Sequence, residues 1–122
     1  MALFLFNKVL TPAQFTLPDN QELSLNLGAT TIVQMTCDRS LTFIGLAATG
    51  GNFDGMTVCF SHIDVSNSFT LSFSNENVGT SSPANRFRNP AGNTISGGTG
   101  IGAVWYRYNG TLQRWVCIGK SV

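Results

Sequence analysis

The chain has 122 residues, a formal net charge of +1 and only 11% charged side chains. Its length suits one domain with a core large enough to fold without a metal or a disulfide. The near-neutral balance excludes non-specific nucleic-acid binding, whose affinity grows with the number of Lys and Arg contacts to phosphate. Soluble domains carry about 25% charged residues. Here Ser, Thr, Asn and Gly fill the deficit, and such a surface suits neutral partners, other subunits or sugars.

The first element in chain order is the apolar run Ala2-Leu3-Phe4-Leu5-Phe6. It does not read as a signal peptide, because Lys8 follows the run and no small-residue cleavage site closes it. No apolar run approaches the roughly 18 residues of a membrane span. Residues 1–15 are therefore read as a first strand or as an arm laid across a neighbour, with Leu3, Phe4, Leu5 and Phe6 as its contact residues. Residues 16–122 form a single domain in this reading.

Alternation of period two then recurs. Leu23, Leu25 and Leu27 share one face; so do Val33, Met35 and Cys37, then Met56, Val58 and Phe60, then Phe69, Leu71 and Phe73. Turn formers separate these runs at Pro18-Asp19-Asn20, Gly28, Asp38-Arg39-Ser40, Gly50-Gly51-Asn52 and Ser66-Asn67. No apolar period of 3.6 is sustained and no internal repeat stands out. The pattern predicts an all-β fold, an antiparallel β-sandwich of jelly-roll type. Residues 75–102 break the alternation with Pro83, Pro90 and several glycines. They read as a long loop organised by polar contacts or by function, and Gly97-Gly98-Thr99-Gly100-Ile101-Gly102 as a flexible turn feeding the last element.

That last element is a hairpin over residues 102–119. Asn109-Gly110 suits a two-residue turn, which would pair Tyr108 with Thr111, Tyr106 with Gln113 and Val104 with Trp115. One face would carry Val104, Tyr106, Tyr108, Trp115 and Cys117. The other would set Trp105 opposite Arg114, within reach of a cation–π contact. The three cysteines, Cys37, Cys59 and Cys117, are odd in number and lack a CxxC pair. Each sits in an apolar run and reads as a buried, reduced thiol, in keeping with assembly in a reducing cytoplasm.

Two of the five arginines stand one residue apart in ANRFRNPAG, residues 84–92. An extended backbone would point Arg86 and Arg88 one way and Phe87 the other. Phe87 would anchor the loop while guanidinium donors satisfy backbone groups that lack ladder partners. Asn85, Arg86 and Phe87 are read as a structural clamp. Arg88, with Trp105 and Arg114, is read as a subunit or capsid contact.

The order TLPDN, a strand pair, SLTFIGLAATGGNFDG, MTVCFS, SFTLSF, ANRFRNPAG, a glycine-rich turn and WYRYNGTLQRW resembles a β-sandwich module of tailed-bacteriophage structural proteins. Asn85, Arg86, Phe87, Pro90, Gly92, Tyr108, Arg114 and Trp115 carry the resemblance, which spans roughly residues 16–118. Such modules occur in tail fibres, tail tips and capsid-decorating proteins. The resemblance, together with the few residues before the module, implies a non-enzymatic decoration or cement protein. It would be a homotrimer on the virion surface, bridging major capsid subunits and assembled in the host bacterial cytoplasm. The alternative it implies is a tail-fibre module that reads host surface glycan through Trp105, Tyr106, Tyr108 and Trp115. Neither implies a cofactor, a nucleic acid or a membrane as partner.

Candidate reaction centres are thin. His62-Ile63-Asp64 places an imidazole near a carboxylate, but no G-x-S-x-G elbow supplies a nucleophile. Cys59-x-x-His62 is a metal-ligand pair short of the four ligands a structural zinc requires. The six acids Asp19, Glu22, Asp38, Asp54, Asp64 and Glu76 lie mostly in turn contexts. A hydrolytic carboxylate pair among them is the third reading.

Overall fold

The computed structural model describes residues 5–10, 21–36, 40–63, 70–76, 81–92, 95–99 and 101–121. The alternating segments become strands β1 (Leu5–Leu10), β2 (Gln21–Leu25), β3 (Thr30–Thr36), β4 (Leu41–Ala48), β5 (Thr57–Ile63) and β6 (Thr70–Phe73). After them come β7 (Phe87–Arg88), β8 (Ile95–Thr99), β9 (Ile101–Asn109) and β10 (Arg114–Ser121). One sheet runs β1-β3-β5-β9-β10-β7 and the other β2-β4-β6-β8. The fold is mostly β in two sheets.

Pairing directions depart from the expected antiparallel jelly roll. β1, β3 and β5 are parallel neighbours, as are β2, β4 and β6. The chain visits the two sheets in turn and lays each strand beside the one two elements earlier, so neighbours point the same way. Antiparallel pairing joins β5 to β9, β9 to β10 and β6 to β8. Side-chain alternation assigns faces but is the same in both directions, so the pattern could not have told them apart. The winding places corresponding strands side by side. Thr57 and Val58 stand beside Thr30 and Thr31 in register, and Leu71 and Phe73 beside Leu41 and Phe43.

Inward side chains of both sheets share one core. Val33, Val58, Phe60 and Val104 come from the first sheet, Leu23, Phe43, Leu71 and Phe73 from the second. Aromatic rings bridge the sheets, with centroids 4.9 Å apart for Phe60–Phe73 and 5.3 Å for Phe73–Tyr106. Each such pair contributes about 0.5–1.5 kcal/mol beyond its area burial.

Two irregularities shape the molecule. Along β4, Leu41 and Phe43 point inward, and then Leu46 and Ala48 do. The inward spacing slips at Ile44-Gly45, where the register against β2 also shifts. At Gly45 a Cβ would lie 2.8 Å from the Asn85 carbonyl oxygen, so a glycine is what lets the 81–85 segment close on the sheet. The glycine run 97–99 forms part of β8 instead of a flexible turn. β8 pairs with β6 at the sheet's edge, and the register skips between Thr70↔Thr99 and Ser72↔Ser96. An irregular edge strand tolerates glycine where a central one would be weakened.

The final hairpin turns later than expected. Gly110 to Gln113 form a four-residue turn in which Asn109 Oδ1 accepts the Leu112 amide and Gln113 takes a positive φ of 55°. Tyr108 therefore pairs with Trp115, and Gly119 instead of Arg114 faces Trp105. The cation–π pair of Trp105 with Arg114 is accordingly not formed by this register. The shift is an even number of residues, so the inward face survives. Val104, Tyr106, Tyr108 and Trp115 are buried, and Cys117 is half-buried. Residues 5–10 of the N-terminal run belong to a strand paired with β3, whereas Leu3 and Phe4 lie outside the described residues. So do Cys37, Phe69 and the turns at 18–20, 38–39 and 66–67.

Candidate functional site

Three buried side chains of the hairpin bring polar atoms into the core, and the loop over residues 81–92 answers two of them. Trp115 is fully buried, and its Nε1 donates to the Leu46 carbonyl of the opposite sheet at 2.7 Å. The Tyr108 hydroxyl donates to the Ala84 carbonyl at 2.8 Å. The Tyr106 hydroxyl donates to Asn89 Oδ1 at 2.7 Å, and Asn89 Nδ2 donates to the Phe73 carbonyl at 2.9 Å. Asn89 is only 5% exposed, so both ends of its amide are matched inside the protein. Burial holds the Tyr106 phenol far above its ordinary pKa, with the nearby Cys117 adding to the effect. Tyr106 therefore acts as a hydrogen-bond donor and not as an acid at any ordinary pH.

The backbone of ANRFRNPAG follows from these bonds. Two short 3-10 turns, Pro83–Asn85 and Pro90–Gly92, flank β7. Phe87 is fully buried against Phe73 and Tyr106 at centroid distances of 5.4 and 4.6 Å. The Arg86 carbonyl accepts the Trp115 amide, and the Phe87 carbonyl accepts the Glu76 amide. Asn75 Oδ1 accepts the Asn89 amide at 2.6 Å.

Arg86 folds back on its own loop. Its guanidinium donates to the Ser81 carbonyl at 3.2 Å and to Ser81 Oγ at 3.4 Å. Asn85 is held from outside the loop, its Oδ1 accepting from Asn52 Nδ2 at 2.8 Å. The same Asn52 amide reaches the carbonyls of Leu46 and Ala84, and its Oδ1 accepts the Ala48 amide. One side chain thus ties the 49–52 turn, β4 and the 81–85 segment together. In the sequence Asn52 reads only as a turn former. Its long-range role has no local signature in the sequence, because its partners are backbone carbonyls that any residue supplies.

Arg88 and Arg114, read as outward contacts, both engage Glu76 of their own chain. Arg88 Nη2 lies 2.9 Å from Glu76 Oε2, and Arg114 Nε lies 2.7 Å from Glu76 Oε1. Partial burial alone would raise the Glu76 pKa, but the hydrogen bonds and charges of Arg114 and Arg88 outweigh it and hold the carboxyl below its usual value. Arg88 stays about half exposed at 47%. Trp105 stands on the outer face of β9, half-buried, beside Gly119, where the space for a side chain is open.

The groups considered for chemistry do not converge among the described residues. No cluster of three or more His, Cys, Asp or Glu forms there. Glu22 Oε2 accepts the Ser82 amide and Asp54 Oδ1 the Gly110 amide. His62 is described only in its backbone, in β5, and Asp19, Asp38 and Asp64 lie outside the described residues. Cys59 and Cys117 are free thiols, and burial raises the pKa of Cys59. No family model and no curated protein matches the chain.

Proposed function

We propose that the chain is a non-enzymatic structural protein of a phage particle, a decoration or cement protein that bridges major capsid subunits, as a homotrimer on the virion surface. The observation that carries this reading is where the polar side chains of the Asn-Arg-Phe loop go. Asn85, Arg86, Arg88 and Asn89 all bond to the chain's own backbone and side chains, so the loop is a built, rigid surface. A rigid surface binds a large flat partner with little ordering cost. The sparse charge and the hydroxyl- and amide-rich composition suit repeated, weakly polar contacts, whose strength comes from many sites acting together. The resemblance to phage structural modules supplies the particle and the trimer.

Binding to capsids stripped of this protein, with a rise in their thermal stability, is the expected result. Purified protein that leaves capsid stability unchanged would sink the proposal. A second reading, a tail-fibre module for host surface glycan, is favoured by one feature. Trp105 offers an outward aromatic ring beside the gap at Gly119, with Thr57 and Ser61 two positions either side of Cys59, its neighbour in register on β5. Glycan-array binding abolished by Trp105→Ala, without capsid binding, would select it.

A further inference from the structure

Three loops meet at one end of the domain and are locked to one another. Asn52 bonds Asn85 and the Ala84 carbonyl, Tyr108 bonds the same carbonyl, and Asp54 Oδ1 accepts the Gly110 amide at 2.8 Å. From this fixed platform two large apolar side chains project: Phe53, 52% exposed, and Leu112, 45% exposed. Each sits beside a pin. Phe53 precedes Asp54, and the Leu112 amide is held by Asn109 Oδ1 at 2.9 Å. Exposed apolar residues are ordinary singly, but two presented by adjoining rigid loops are placed as interface anchors are.

The charges nearby are unequal. Arg88 and Arg114 share the carboxylate of Glu76, and Asp54 puts a second carboxylate on the platform itself, so three guanidinium groups meet two acids. Arg107, exposed on β9 close to Gly55, has no carboxylate partner among the described residues. A partner covering this end would have to answer the Arg107 guanidinium with an anion, since an unmatched cation at an interface is costly.

We propose that Phe53 and Leu112 anchor a protein-docking surface whose counterpart is an apolar recess with a carboxylate at its rim placed to meet Arg107. The proposal rests on the capsid reading above, and the recess then belongs to the major capsid subunit. Arginine and aromatic side chains are the types enriched in such interfaces.

Equilibrium binding of the full chain to capsids purified without it tests this. Wild-type binding weakened about tenfold or more in the Phe53→Ser, Leu112→Ser double variant is expected. Arg107→Glu should weaken binding too, and by less at high salt. Ile118→Ser, which alters an exposed apolar residue on β10 outside this platform, should bind as wild type does. Equal binding by all variants overturns the surface and leaves the capsid reading standing. Wild-type protein that binds no capsid overturns both. Should the double variant instead lose self-association while still binding capsids, the surface faces a second copy and the proposal fails. Arg107→Glu reads the same surface if the apolar pair proves unstable.

Discussion

The winding of β3 to β6 reaches the core mainly through side chains without polar atoms, Val33, Phe43, Phe60, Leu71 and Phe73, with the buried Thr31, whose hydroxyl accepts the Gly28 amide, as an exception. The C-terminal hairpin reaches the same core largely through Tyr106, Tyr108 and Trp115, each of which brings a donor that must be matched. The first region asks only that an apolar group of about the right volume lie on the right face. The second asks for named acceptors at named places: the Leu46 and Ala84 carbonyls and Asn89 Oδ1. Residues 81–92 fold as they do because they deliver two of those three. The loop is thus the complement of the hairpin, and its rigidity follows from the core it completes.

The largest effect should come from breaking the apolar side of this contrast. Phe60→Ala removes a fully buried ring packed on Phe43 and Phe73, and urea unfolding should show a loss of about 3–5 kcal/mol. On the polar side, Asn89→Ala orphans the Tyr106 hydroxyl and the Phe73 carbonyl, at about 2–3 kcal/mol. Tyr106→Phe in that background should recover part of the loss, because it removes the orphan donor. Purely additive losses in the double-mutant cycle would show that the two side chains are not coupled.

Smaller effects sharpen the picture at the loop's surface. Arg86→Ala should lower stability by about 1 kcal/mol, since the longer bonds to Ser81 are only part-buried. An unchanged melting temperature would assign the clamp to Asn52 and Asn89 alone. The smallest effect is electrostatic. The folded-state pKa of Glu76 lies below its ordinary value, so its stabilisation is present above the ordinary carboxylate range and is lost as pH falls through the folded value. Both partners are partly exposed, which limits the gain to under about 1 kcal/mol. The melting temperature of Glu76→Gln should lie slightly below wild type at neutral pH and converge with it in acid. A gap that persists in acid would point to packing instead of charge.

How far the sequence could be read follows the same division. Inward faces were legible from alternation: Leu23, Val33, Phe60, Leu71 and Phe73 are all buried, and Tyr106 and Trp115 share the inner face even though the hairpin register was misplaced. Strand direction was not legible, because a period of two does not change when a strand is reversed. The turn at Asn109 was misread because Asn-Gly favours a two-residue turn locally, while Asp54, 56 positions away in the sequence, captures the Gly110 amide. At the candidate site, Phe87 as anchor was visible in the Arg-Phe-Arg pattern. Asn52, Asn75 and Glu76 were not, since their partners stand far away along the chain or belong to the backbone.

Composition and alternation alone determined that this chain builds layered strands around an apolar core and carries little charge, for burial of apolar surface depends on residue type and spacing. Only the tertiary structure decided that six strands wind in parallel between two sheets. It also decided which carbonyl each buried donor meets, and that Phe53 and Leu112 share one rigid end. Hydrogen bonds are directional and short, so their partners are chosen by position in space, which local sequence does not encode.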